Sequence, residues 1–224
     1  MSQSSSEQRP LAALEAQLQH LSHSDDARSL IQQFAESLGK TKQRQRVFNQ
    51  KGALLQAPIE YDDALQSGVI SPQEDRFQLL QGDIVSTDAA YLLGDRLTGG
   101  KFAIASSTCD LVPQRRRYAA LLRICPISSQ ETDAKAQLGQ WLKFKSTQGM
   151  YLPPLSTDAP DVVGNVVNFD GIVQIHLADL LNATRHASLS LVGWRMFGSL
   201  LRSLIARTGV GEVDMRTQLS ATSS

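Results

Sequence analysis

Three guanidiniums in a row, Arg115-Arg116-Arg117, are the densest chemical feature of the chain. On a loop tip they bind phosphates or a partner's carboxylates, because the planar fork of arginine matches both. The same charge also serves to blunt a sheet edge against aggregation. Arg123 follows inside an apolar run and by strand alternation shares a face with Leu121 and Cys125, where it pairs with an acid such as Asp83 or lines a concave site. Cys109-Asp110 sets a thiol beside a carboxylate. A thiol nucleophile needs a base, which His176 or His186 would supply; a structural cysteine beside an aspartate that bonds turn amides accounts for the same two residues. Asp62 and Asp63 have no histidine or further spaced acid to complete a metal shell, so no metal is expected. No phosphate loop, dinucleotide fingerprint or serine elbow occurs, and no cofactor is expected.

Most of these groups fall in residues 81–129, which also carry the best strand signals. Gly82-Asp83 is a turn that opens the apolar run Ile84-Val85. The pairs Gly94-Asp95 and Gly99-Gly100 bracket a loop. From Phe102 the chain alternates as far as Cys109, with Ala103, Ala105 and Ser107 making one face uniformly small. A return strand runs from Tyr118 to Cys125, and Pro126 is expected to stop it. A hairpin symmetric about Pro113-Gln114 places Cys109 opposite Tyr118 and Cys125 opposite Phe102. The thiols are then about 23 Å apart along the sheet, and no disulfide is expected.

Three short segments resemble the MazF/PemK-like toxin superfamily: Gly82-Asp83-Ile84-Val85, then Phe102-Ala103-Ile104-Ala105-Ser106, then Cys125-Pro126-Ile127-Ser128-Ser129. The resemblance implies a small SH3-like β-barrel. It also implies RNA cleavage, with the ribose 2′-hydroxyl attacking the adjacent phosphate and the protein supplying cationic and hydroxyl stabilisation. Ser128 matches the serine or threonine that follows the third strand. Gly100-Lys101 stands where the family carries Arg-Pro, so Lys101 is the remaining cation at that position. In that case Lys101 and Ser128 are the catalytic pair, while Arg115, Arg116, Arg117 and Arg123 hold RNA phosphates.

Around this segment the chain reads as helices. Leu11, Leu14, Leu18 and Leu21 recur at helical spacing after Pro10, which is placed for a first turn, with residues 1–9 left disordered. Ser24-Asp25-Asp26 starts a second helix, striped by Ala27, Leu30, Ile31, Phe34 and Leu38 and closed by Gly39. His20 and His23 flank the turn between them and are expected to be exposed. Residues 40–51 hold five basic side chains and no acid, either a phosphate-binding arm or a solvated helix face with Val47 and Phe48 turned inward. Residues 131–145 form another helix, and Asp170-Gly171 joins two short strands as a tight hairpin. Residues 184–208 read as one long helix with Leu189, Val192, Met196, Leu200 and Leu204 along its buried side, and Arg195, Ser199 and Arg202 opposite. Gly209 and Gly211 end it.

The expected architecture is α+β: a helical N-terminal extension (1–70), a barrel with a C-terminal helix (71–211) and a polar tail (212–224). With 224 residues, 42% hydrophobic and 20% charged, the composition is that of an ordinary globular chain. Lys+Arg and Asp+Glu are equal at 22 each, so no global field draws in nucleic acid. Aromatic residues make up only 6%, which argues against a broad base-stacking platform. No membrane span or signal peptide is visible, and the cytoplasm is expected. The neutral charge and the missing Arg-Pro favour a non-catalytic interaction module, docking a protein partner or a second copy. The alternative is a MazF-like RNA-binding protein or endoribonuclease.

Overall fold

The computed structural model describes residues 4–73 and 75–205. The expected helix stop at Gly209 and Gly211 and the polar tail lie outside the described residues. Among these residues, nine strands form one antiparallel sheet: β1 (Leu55–Gln56), β2 (Ile84–Thr87), β3 (Ala90–Leu92), β4 (Asp95–Leu97), β5 (Gly100–Ile104), β6 (Tyr118–Ser128), β7 (Gly149–Leu152), β8 (Val162–His176) and β9 (Thr184–Leu189). The spatial order is β1-β9-β2-β5-β6-β8-β3-β4, with β7 also paired to β8. Seven α-helices accompany it: α1 (Ser4–Leu18), α2 (Asp25–Ser37), α3 (Thr41–Phe48), α4 (Tyr61–Gln66), α5 (Ala134–Trp141), α6 (Leu177–Leu180) and α7 (Leu191–Ile205). The mixed helix-and-sheet expectation holds. The sheet is not closed: β1 and β4 are its two ends. No helix among the described residues is long and apolar enough to cross a membrane.

The Gly82 turn does open β2, with Gly82 at a φ of 85°, and β2, β5 and β6 run antiparallel side by side. The β5–β6 register differs from the symmetric hairpin. Phe102 lies opposite Arg123, not Cys125, and β5 ends at Ile104. There Ala105 N–H and Ser106 N–H both donate to Ala120 O, while Ser106 Oγ accepts from Ala120 N–H, a bend that terminates the ladder. Cys109 falls beyond it, in the 3-10 turn Thr108–Leu111. Both cysteines are free thiols. The expected loop at residues 94–100 instead holds β4, which forms a hairpin with β3 through the turn residues Leu93 and Gly94, both at positive φ (53° and 96°), as a two-residue hairpin turn requires.

Pro126 does not stop β6. The strand runs on to Ser128 against β8, and β5 ends before it, leaving an edge where proline is tolerated. Asp170-Gly171 does not form a hairpin either. Pairing with β6, β7 and β3 holds residues 162–176 as one extended strand. Residues 184–189, read as helix, form β9 between β1 and β2, with Leu55 opposite Leu189.

Two apolar clusters lie on opposite faces of the sheet. One joins Ile84, Ala103, Leu122 and Ile124 to α7 and to the α1–α2 pair; the other joins Val85, Phe102, Ile104, Leu121, Val173 and Ile175. In α7, Val192, Met196, Phe197 and Leu200 are fully buried. At ~1.5–3 kcal/mol per large side chain this helix is part of the core. Ser190 caps it, its Oγ accepting from Gly193 N–H at 3.2 Å and donating to Ala53 O at 2.8 Å. Its other side is not solvent-facing as expected. Arg195 Nε donates to Leu18 O, Ser199 Oγ to Ser24 O and Arg202 Nη1 to His23 O, so the polar stripe satisfies the end of α1 and the α1–α2 turn. His23, expected to be exposed, is half-buried with its ring 4.1 Å from that of Trp194. Gly198 makes room for it: a Cβ there would run into the imidazole. The helix α1 begins at Ser4 and Pro10 lies inside it, so the expected start at Pro10 is late by more than a turn, and residues 4–9, expected to be disordered, are helical. Gly39 ends α2 at a φ of 72°, as expected. In α3, Val47 and Phe48 are buried and Arg44 donates to Ala35 O, the inward-facing arrangement rather than a free basic arm.

Candidate functional site

Lys101 is on β5, directly opposite Ser86 of β2. Its ammonium is ion-paired with Asp158, in the turn before β8. Asp158 also accepts from Leu155 N–H and Asn165 Nδ2, both at 2.7 Å. Burial pushes the Asp158 carboxyl up, but the hydrogen bonds from Lys101, Asn165 and Leu155 and the Lys101 charge together outweigh it, and the net direction is down. Ser86 Oγ lies 2.9 Å from His186 Nε2. His186 occupies a bulge: Ile84 pairs with Ala187 and Val85 with Arg185, leaving one extra residue on β9. Burial first, then the Lys101 charge, holds its imidazole below the ordinary value, against a smaller opposing effect of Asp158. Ser86 and Lys101 open on a polar cleft of about 480 Å³, walled also by Thr87, Asp88, Gly99, Gly100, Asn182 and Thr184.

Ser128 is not part of this group. It lies at the end of β6, beyond the residue opposite Lys101 by four positions, about 13 Å along a strand. Its Oγ donates to Asp161 and accepts from Gln130 N–H at 3.1 Å, which builds the turn after β6. The arginine triplet is exposed on its loop, as expected. Arg115 is ion-paired with Asp75 and donates to Cys109 O; Arg116 Nε is 3.0 Å from Asp110 Oδ1; Arg117 lies over the Tyr118 ring at 5.6 Å. Cys109 is exposed with its Sγ 3.0 Å from Ser107 Oγ. The two histidines considered for it have other partners. His186 meets Ser86, and His176 accepts from Ala178 N–H and sets its ring edge-on to Tyr118.

Arg123 is exposed and lies opposite Phe102, as Leu121 lies opposite Ile104, so the alternation that put it on the face of Leu121 holds, while β8 shifts register beside it between Leu122 and Ile124. Asp83 is ion-paired with a different arginine. Its fully buried carboxylate accepts from Ser188 Oγ at 2.6 Å and Leu80 N–H at 2.8 Å, with Arg185 Nε 2.7 Å away. Arg185 in turn donates to Ile59 O, Gln78 O and Glu60. Burial dominates over these partners and the Asp83 carboxyl is pushed up.

A second surface was not anticipated. Beyond the area covered by helices, the sheet face bearing Leu122 continues through Ile172, Ala120, Gln174, Tyr91, His176 and Tyr118, residues paired directly across β3, β8 and β6. Tyr91, Tyr118 and Ile172 are 48%, 53% and 44% exposed, and Leu93 at the adjoining hairpin tip is 98% exposed.

No protein-family model matches the chain, and no curated protein matches it.

Ser86, Asp158 and this open face carried no sequence signal. Ser86 is one hydroxyl near a strand end, and its role depends on β9, which is distant in sequence. His186 was considered as a base for Cys109, but its ring nitrogen meets Ser86 instead.

Proposed function

We propose that this chain is a protein-interaction module that docks a partner on the open face of β3, β8 and β6. The observation that carries this reading is how the charged and apolar groups are distributed. Lys101, Arg115 and Arg116 are each paired with a carboxylate, and Ser128 is bonded to Asp161. Tyr91, Tyr118 and Ile172, in contrast, are left uncovered on a rigid sheet. Exposed aromatic and aliphatic groups on a fixed element are the usual anchors of protein interfaces. A phosphodiester brought to Lys101 competes with Asp158, which weighs against the ribonuclease reading. The proposal keeps β2, β5 and β6 as counterparts of the MazF/PemK-like barrel strands; the Gly82 turn and the antiparallel order of these strands support that. It also keeps the cytoplasm as the setting.

Capture of partners from the native host with the full chain tests this, comparing wild type with Tyr118→Ser/Ile172→Ser. A protein retained by the wild type and lost with the double variant is expected. Retention of the same protein by both overturns the docking face. RNA binding that falls steeply with salt, and that the triple change of Arg115, Arg116 and Arg117 to alanine weakens and flattens, would restore the nucleic-acid reading.

A further inference from the structure

We propose that Ser86 and His186 are a nucleophile–base pair that accepts an uncharged acyl group, an ester or thioester, in the cleft beside Lys101. This activity goes beyond the docking face and does not rest on it. Nucleophilic serine needs a base within hydrogen-bond reach, and 2.9 Å between Ser86 Oγ and His186 Nε2 meets that requirement. The bulge in β9 sets the imidazole there, since without the extra residue the pleat would send it to the other face. Burial and the Lys101 charge favour the neutral, proton-accepting imidazole at neutral pH. Ser86 is half-buried and lines the cleft in which the electrophile would bind.

The charges select the substrate class. Lys101 is balanced by Asp158, and Asp88 adds a further carboxylate to the cleft wall, held by Gly99 N–H at 2.6 Å. A phosphodiester would enter a cleft without surplus positive charge, whereas a neutral acyl group meets no such barrier. In the reaction, Ser86 Oγ forms a bond to the acyl carbon as its proton passes to His186 Nε2. Collapse expels the alcohol or thiol, which takes that proton. Water then adds to the acyl-serine by the same route, releasing a carboxylic acid and restoring the hydroxyl. Lys101 stands opposite Ser86 across the β2–β5 pair, its Cβ about 5 Å from that of Ser86, and its ion pair with Asp158 borders the place where the oxyanion forms.

Treatment of the full chain with a fluorophosphonate tests the pair, because serine attack on phosphorus displaces fluoride and leaves a stable adduct. One adduct mapped by mass spectrometry to Ser86 is expected, absent in Ser86→Ala and formed at least about 100-fold more slowly in His186→Gln. Hydrolysis of p-nitrophenyl acetate is expected to fall in parallel. No adduct on the wild type, an adduct on another residue, or a rate that His186→Gln leaves unchanged in a variant with native circular dichroism overturns the proposal. Mapping on the wild type decides the matter even where a variant fails to fold.

Discussion

Replacing Arg185 with methionine removes the charge from the Asp83 network and keeps most of the side chain's volume. Asp83 is fully buried and, among the described residues, Arg185 is the cation paired with it. The variant keeps Ser188 Oγ and Leu80 N–H as donors but leaves a carboxylate with no countercharge, a change that typically costs ~3–5 kcal/mol. For a domain of this size that is a fall in Tm of about 6–20 °C. The pH dependence distinguishes this cause from lost contacts. The Asp83 carboxyl is already above its unfolded value, so the folded state holds the proton more tightly than the unfolded one. Stability is therefore lost as pH rises from the unfolded value through the folded one. Without Arg185 the folded value rises further and the losing window extends upward. Urea denaturation between pH 4 and 8 is expected to show a deficit that grows with pH, and Asp83→Asn in the same background is expected to recover part of it. A deficit below about 1 kcal/mol at pH 7, or one independent of pH, would refute the reasoning.

Other outcomes follow from α7 and its neighbours. Leu200→Asp buries a charge in a fully enclosed site and is expected to yield insoluble protein, whereas Arg202→Ala, losing one bond to His23 O, is expected to cost only ~0.5–1.5 kcal/mol by urea denaturation. Gly193→Ala sets a Cβ against the Leu54 carbonyl and is expected to cost ~1–3 kcal/mol, read as a lower urea midpoint with an unchanged slope. His23 is held below its ordinary value, first by burial and then by the Arg195 charge, so its contribution is complete above pH ~6.5 and is lost as pH falls below it. His23→Gln is expected to flatten, though not abolish, the acid-side fall in urea midpoint, because His186 shifts the same way.

Where local chemistry decides structure, the sequence was sufficient. Gly82-Asp83 before an apolar pair announced β2, Ser24-Asp25-Asp26 announced α2, and Gly39 its end. The errors lie where distant partners decide. Residues 184–189 carry a leucine and an alanine that fit the helical stripe of α7, and only pairing with β1 and β2 makes them a strand. Asp170-Gly171 favours a turn locally, but three neighbouring strands keep it extended. The Arg195-Ser199-Arg202 stripe looked solvent-facing because polar residues usually are; here it satisfies carbonyls at a helix end. The Ser86–His186 contact depends on a bulge, and one inserted residue leaves no mark on a single sequence.

The dependence of the first helices on α7 affects how the chain is made. The apolar side of α1 and α2 is closed by residues 191–205, and β1 waits for β9. A ribosome adding ~5–20 residues per second needs on the order of ten seconds to travel from α2 to α7. Throughout that interval Leu14, Leu18 and Ile31 have no native surface to meet. The nascent chain therefore holds an adhesive amphipathic pair at its front until residues 191–205 emerge, so this protein is most exposed to aggregation while it is still being made.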